Sequence, residues 1–185
     1  MTQRKIAYRY AKALFDYAVD EKILDRVNAD MELIGKVCRQ NRDFRSILRS
    51  PIINKKKKRT ILREIFKDHL ARETMTYLEI MTRKSRENYI QEIPHYFAEL
   101  YNEKKNIKTA VVKTAVPLDE GLRRKIIALL EKKTSAHIHL AEEIDPGLIG
   151  GFVIQVDDQQ YDTSIQRKLM MLKREFEDNI YIREF

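Results

Sequence analysis

Apolar residues recur at helical spacing up to about residue 105, and beyond it the spacing changes. This switch constrains the fold most, because helices line one face every 3–4 residues and strands every second residue. Leu24, Val27, Met31, Ile34 and Cys38 advance by 3, 4, 3 and 4 positions and share one helix face. Ile61, Leu62, Ile65, Phe66 and Leu70 repeat the theme, as do Met75, Leu78, Met81 and Thr82. Ile90, Ile93, Phe97, Leu100 and Tyr101 follow. The first segment carries Ile6, Tyr10, Ala13, Leu14 and Tyr17 on one side, with Ala7, Ala11, Phe15 and Ala18 beside them. An apolar arc wider than half the circumference predicts a helix packed on two sides.

Helix ends are legible as well. Asn41 and Asp43 are cap-type residues before Phe44, and Asn54 can cap the next helix. Ser50-Pro51 disfavours a helix through Ser50. Pro94 would cost a helix interior about 3 kcal/mol, so it marks a kink or a helix start. Residues 1–105 therefore read as a bundle of about six helices.

The second part mixes periods. Ile107 to Val116 is β-branched and reads as a strand ending at Pro117. Asp119 can cap a helix with the face Leu122, Ile126, Leu129 and Leu130. His137 to Leu140 alternates as a second strand, and Asp145-Pro146-Gly147 is a turn. Gly151 to Val156 forms a third strand, Asp157-Asp158 with Gln159-Gln160 makes the turn after it, and Tyr161 resumes a short strand. Asp162 to Ser164 can cap a last helix with the face Ile165, Leu169, Leu172 and Phe176. The fold class is α+β in two parts: an N-terminal helical bundle (1–105) and a small α/β domain (106–185).

Charge divides at the same point. Residues 1–105 hold 24 Lys/Arg and 15 Asp/Glu, whereas 106–185 hold 12 and 13. All of the net +8 thus belongs to the first part, which suggests two units with different partners. No run approaches the roughly 18–20 apolar residues of a membrane span. The N-terminal stretch lacks a secretory h-region, and the early acids Asp16, Asp20 and Glu21 argue against a transit peptide. A single Cys has no intramolecular disulfide partner, so a cytoplasmic chain is expected.

Candidate chemistry is thin. His137 and His139 would share one strand face, but no Cys or carboxylate completes a tetrahedral metal site, and no metal is expected. Gly147, Gly150 and Gly151 precede a strand, whereas a dinucleotide loop follows one and opens a helix, so no nucleotide or other cofactor is expected. Cys38 lies on an apolar stripe and reads as a small core residue. The run Lys55 to Arg59 reads as a solvated helical turn, with phosphate contact as the other option. The residues alone describe a non-catalytic basic adaptor with interhelical grooves fit for an amphipathic helix. A nucleic-acid-binding adaptor is the alternative.

Two stretches resemble one family. Arg9-Tyr10-Ala11-Lys12-Ala13-Leu14-Phe15-Asp16-Tyr17-Ala18 resembles the R-Y-A-x-A-L-F-x-x-A opening of the delta subunits of rotary F-type ATP synthases, homologous to the mitochondrial oligomycin-sensitivity-conferring protein. Val112 to Leu118, then Ile144 to Ile154, and then Asp162, Ser164, Ile165 and Leu169 match in order and spacing. The family often has Gly where this chain has Asp157 and Thr163.

The resemblance implies a stator subunit of a proton-translocating complex, one copy per complex. It implies a six-helix N-terminal bundle that binds the N-terminal helix of an alpha subunit between its first and fifth helices. It also implies a C-terminal domain that meets the b subunits. No nucleic acid is implied, and membrane association would be indirect, on the cytoplasmic face of the bacterial inner membrane. On this chain the groove would comprise Tyr10, Ala13, Leu14 and Tyr17 with Tyr77, Leu78, Ile80 and Met81. Asp145, Gly150, Gly151, Asp162 and Ser164 would serve as structural turn and cap residues.

Overall fold

The computed structural model of the protein describes residues 3–156 and 158–178. Asp157, expected in a turn, lies outside the described residues. The chain divides into two compact units, Met1–Lys104 and Lys105–Phe185. The break falls where the apolar period changes.

The first unit contains α1 (Gln3–Asp20), α2 (Leu24–Gln40), α3 (Arg42–Arg49), α4 (Lys55–Phe66) and α5 (Arg72–Arg83). A 3-10 turn, Glu87–Tyr89, leads into α6 (Ile93–Lys105). Asn41 and Asn54 cap α3 and α4: their side-chain oxygens accept the amides of Phe44 and Lys57 at 3.0 and 2.8 Å. Pro94 is the second residue of α6, where a missing N–H costs nothing. The core gathers Leu14, Val27, Ile34, Phe44, Leu62, Phe66, Leu78, Met81 and Phe97. Two edge-on ring pairs, Phe44–Phe66 and Phe15–Phe97, knit it at 5.9 and 5.8 Å.

Asp30, Thr74, Lys58 and Glu87, buried inside this unit, form hydrogen bonds between elements. Ala71 begins α5 without a capping side chain. Asp30 of α2 reaches over instead, accepting the Ala71 amide at 2.9 Å and the Thr74 hydroxyl at 2.6 Å. The lysine run departs from the expected solvated turn. Lys55, Lys56, Lys57 and Arg59 are exposed, but Lys58 is only 3% exposed. Its ammonium bonds the Leu48 carbonyl at 2.8 Å and the Glu87 carboxylate at 2.7 Å. The fourth position of the run faces inward because Leu62 and Phe66, four and eight residues on, define the buried face of α4. Lys58 thereby joins the end of α3 to the 3-10 turn.

The second unit contains β1 (Ile107–Thr114), α7 (Glu120–Thr134), β2 (His137–Ile144), β3 (Phe152–Val156), β4 (Gln159–Asp162) and α8 (Ile165–Asp178). The sheet order is β2-β1-β3-β4. β1 and β2 are parallel, with Ala110 opposite Leu140, and α7 supplies the crossover that parallel neighbours need. β3 pairs antiparallel with both β1 and β4. Ala110, Val112, Leu140, Ile154 and Val156 meet Ile126 and Leu130 of α7 in a second core. β1 stops two residues earlier than its apolar run suggests, and Val116 is 68% exposed.

The turn residues act locally. Asp145 accepts the Gly147 amide at 2.9 Å. Gly151 has φ +80°, and a Cβ there would stand 2.6 Å from the Thr163 carbonyl oxygen, so only glycine fits. The cap of α8 is Ser164 rather than Asp162. Ser164 Oγ accepts the Arg167 amide at 3.2 Å, while Asp162 accepts the Ser164 amide at 2.9 Å in an Asx turn before the helix. The bonds from Ser164 hold the Asp162 carboxyl below its ordinary pKa.

Candidate helix-binding groove

The first helix packs one face inward and leaves another available. Ala7, Ala11, Leu14 and Ala18 recur at steps of 4, 3 and 4 and are buried. Ala13 and Tyr17 lie beside that stripe and stay exposed, Tyr17 by 45%. The fifth helix is divided the same way: Thr74, Leu78, Met81 and Thr82 enter the core, whereas Glu73, Thr76, Tyr77 and Ile80 do not.

The outward rows meet in a cavity of about 520 Å³ lined by Ala13, Leu14, Tyr17, Arg72, Glu73, Thr76, Tyr77 and Ile80. Tyr77 fixes its width, because its hydroxyl donates to the Tyr10 carbonyl at 3.1 Å and ties α5 to α1. Burial pushes the Tyr77 phenol well above its ordinary pKa, with Tyr10 adding to the effect, so it remains a neutral donor. The Thr76 hydroxyl donates to the Arg72 carbonyl at 2.8 Å, so its polarity is turned back onto α5. The lining is mainly apolar, with Arg72 and Glu73 as its charged members. It offers a slot for side chains and no catalytic constellation.

Five of the eight sequence-derived groove residues line this cavity: Ala13, Leu14, Tyr17, Tyr77 and Ile80. Tyr10 is half-buried beside it and contributes its carbonyl. Leu78 and Met81 are 1% and 0% exposed and belong to the core. Arg72, Glu73 and Thr76 are additional lining residues. They continue the Tyr77–Ile80 face backward at helical spacing, a signal that the apolar pattern alone does not carry because all three are polar.

A second cleft, of about 750 Å³, lies along α1 between Arg4, Lys5, Tyr8, Arg9, Lys12, Ala13, Asp16 and Tyr96. Its Tyr8 and Tyr96 rings meet edge to face at 6.0 Å. His137 and His139 lie exposed on β2, and no group of three His, Cys, Asp or Glu among the described residues could hold a metal. Cys38 is buried, and desolvation pushes its thiol from 9.0 up to about 11, against the opposing pull of Arg45 and Arg39. A thiol so placed is no nucleophile at neutral pH.

Comparison with known proteins agrees with this architecture. Residues 6–176 match the family model described as ATP synthase delta (OSCP) subunit. The ATP synthase subunit delta of Cytophaga hutchinsonii is 39% identical over 97% of this chain and 98% of its own length. The corresponding proteins of Christiangramia forsetii and Lactobacillus gasseri are 38% and 34% identical, covering 98% and 97% of this chain and 98% of each relative. A chain of the Toxoplasma gondii mitochondrial ATP synthase hexamer superposes with a TM-score of 0.68 at 20% identity, covering 92% of this chain and 96% of that one. The chain therefore belongs to the ATP synthase delta (OSCP) subunit family.

Proposed function

We propose that this chain acts as the stator joint of an F-type ATP synthase, gripping the N-terminal helix of an alpha subunit with its first unit and the stalk of b subunits with its second. Family membership makes it a non-catalytic, peripheral-stalk subunit, and leaves the nucleic-acid alternative without support. The first unit is read as the six-helix head-binding bundle, with one copy of the chain per complex. No helix among the described residues is long and apolar enough to cross a membrane. Attachment at the cytoplasmic face would therefore run through the complex.

The observation that carries this reading is the α1/α5 cavity, built on the residues of the R-Y-A-x-A-L-F opening. Rotor torque must be resisted by contacts that dissociate slowly. Apolar burial in a preformed slot supplies about 25 cal/mol per Å², with little ordering cost in the slot itself. Ala13 matters because its small side chain lets an incoming helix approach the α1 backbone.

The test is calorimetric titration of the full chain with the N-terminal peptide of the alpha subunit. Ala13→Glu should weaken binding by at least about tenfold, since it puts a longer, charged side chain where the incoming helix would pack. Its melting temperature should stay near that of the parent because Ala13 is exposed. Unchanged affinity would remove the groove from this role.

A further inference from the structure

The end of α3, the start of α4 and the 3-10 turn line a cavity of about 470 Å³ in the first unit, and it shares no lining residue with the helix-binding groove. Arg49, Ser50, Lys55, Lys58, Ser85 and Glu87 are among its lining residues. Two of these side chains are buried: Lys58 and Glu87 are 3% and 7% exposed. Lys58 spends two of its three N–H groups, one on the Leu48 carbonyl and one on Glu87 Oε1. The other carboxylate oxygen, Glu87 Oε2, is buried and has no hydrogen-bond partner among the described residues. Buried acceptors are normally bonded, because one left unmade bears its full desolvation cost. The lining thus holds an unused ammonium N–H beside an unused carboxylate oxygen.

The surrounding charge is positive. Arg49 and Lys55 are exposed and line the same cavity, so three cations accompany one carboxylate. Lys55 commits one N–H to a long bond, 3.5 Å, to the Arg83 carbonyl. It also opens α4, whose first amides have no acceptor within the helix and add partial positive charge. A cationic ligand would be repelled by Arg49 and Lys55. An anion without a proton would set lone pairs against those of Glu87 Oε2. An oxyanion that keeps one O–H satisfies the whole set: its charged oxygens meet the cations, and its O–H donates to Glu87 Oε2.

We propose that this cavity binds inorganic phosphate in its monohydrogen form, with the P–OH donated to Glu87 Oε2 and the charged oxygens held by Lys58, Arg49 and Lys55. Ser50 and Ser85 bring further hydroxyl donors to the lining. The unpartnered oxygen makes the choice among oxyanions. Sulfate carries no proton in neutral water, and a phosphate monoester loses its last one at about pH 6. Monohydrogen phosphate keeps its P–OH throughout the neutral range. Phosphate bound here also braces Lys58, and with it the joint between α3 and the 3-10 turn, so it stabilises the first unit by binding the folded state alone. The site is independent of the stator reading.

The experiment titrates the full chain by calorimetry with inorganic phosphate, with sulfate and with a nucleoside monophosphate, at about pH 7.5 and constant ionic strength. Phosphate should bind, and sulfate and the ester should each bind at least about tenfold more weakly. The ester should gain on phosphate as pH falls through about 6, where it recovers a P–OH. Arg49→Ala and Lys55→Ala, both on exposed side chains, should each weaken phosphate binding at least about threefold without lowering the melting temperature of the ligand-free chain. Glu87→Gln should abolish the preference for phosphate over sulfate, because an amide can donate to either anion. If the unpaired Lys58 unfolds that variant, the ligand series and the two exposed-cation variants still decide. Sulfate or the ester binding as tightly as phosphate would mean that Glu87 takes no proton from the ligand, and would overturn the assignment. Phosphate binding that both cation variants leave unchanged would show an adventitious ion only, and would overturn it as well. So would the absence of phosphate binding by the parent below about 10 mM.

Discussion

The two units present their exposed apolar surface in opposite ways. In the first, α1 is anchored by four buried residues, and Ala13, Leu14 and Tyr17 form one wall of a cavity whose other wall, α5, is tied on by Tyr77. In the second, α8 leaves the sheet from a well-hydrogen-bonded base and then exposes every side chain described from Ile165 to Phe176. The first surface is a slot already formed between two helices, whereas the second is a helix face that the described residues leave bare. A preformed slot loses little entropy on binding; a marginal helix must be ordered at the same time. The interiors differ in the same sense. The first unit buries Asp30, Lys58 and Glu87, all hydrogen-bonded between elements, while the buried polar residues described in the second are Thr114 and Ser164.

The largest expected effect tests whether those buried charges make the first unit an independent rigid body. Lys58→Ala would leave the Glu87 carboxylate, 7% exposed, without its cation. Breaking a buried pair from one side costs about 3–5 kcal/mol, far more than the pair itself contributes. Urea denaturation should show that loss, and amide exchange should localise it to α3, α4 and the 3-10 turn. Replacing both partners, Lys58→Met with Glu87→Leu, should recover most of it. Equal loss of protection in β1 and β3 would break the contrast, because the units would then unfold as one.

A smaller effect comes from alkaline pH and should again be confined to the first unit. Cys38 holds its proton more tightly when folded, with a pKa of about 11 against 9.0. The folded state therefore binds more protons than the unfolded state between those values. The stability that Cys38 contributes is complete below pH 9 and is lost as pH rises towards 11. Two pH units correspond to about 2–3 kcal/mol. Burial of Tyr77 works in the same direction at higher pH. Melts of the parent and of Cys38→Ala, compared at about pH 8 and about pH 10.5 on either side of the ordinary thiol pKa, should converge as pH rises. Parallel curves would mean that Cys38 titrates as it does in the unfolded chain.

Much of this contrast is legible in the sequence, and the parts that are not have physical reasons. Caps at Asn41, Asn54 and Asp119 announce themselves because each supplies an oxygen to an orphan amide close ahead in the chain, three residues on from the asparagines and two from the aspartate. The seam of α8 shows in its spacing, although spacing alone does not say that the seam is bare. Leu78 and Met81 are harder, because α5 carries apolar residues on adjoining faces and only packing decides which face turns inward. Lys58 is hidden by its neighbours. A run of cations reads as solvated, and its one buried member is betrayed only by being four residues before Leu62. Asp30 gives no local signal, since the amide that it caps lies 41 residues away.

The smallest expected effect concerns how helices end in a chain with only 5 glycines. Among the described residues, four other than glycine take the left-handed conformation: Lys22, Ser85, Asn106 and Ser135, with φ of 60°, 58°, 52° and 52°. Glycine is the usual choice after a helix, since a Cβ there costs about 1–2 kcal/mol. Against this stands the extra freedom that glycine gives the unfolded chain, about 0.5–1 kcal/mol. Ser135→Gly at the end of α7 should therefore stabilise by up to about 1 kcal/mol, and Ser85→Gly after α5 by a similar amount. Asn106→Gly should do the reverse. Asparagine tolerates this conformation, and its amide donates to the Ser135 carbonyl at 2.7 Å, a bond that glycine cannot make. Urea midpoints should thus rise for the two serine variants and fall for Asn106→Gly. The gain from Ser135→Gly should appear in the second unit alone, where a small core makes each increment a larger share of the total. An identical rise for Asn106→Gly would mean that backbone strain outweighs the Asn106–Ser135 bond in joining the end of α7 to the start of β1.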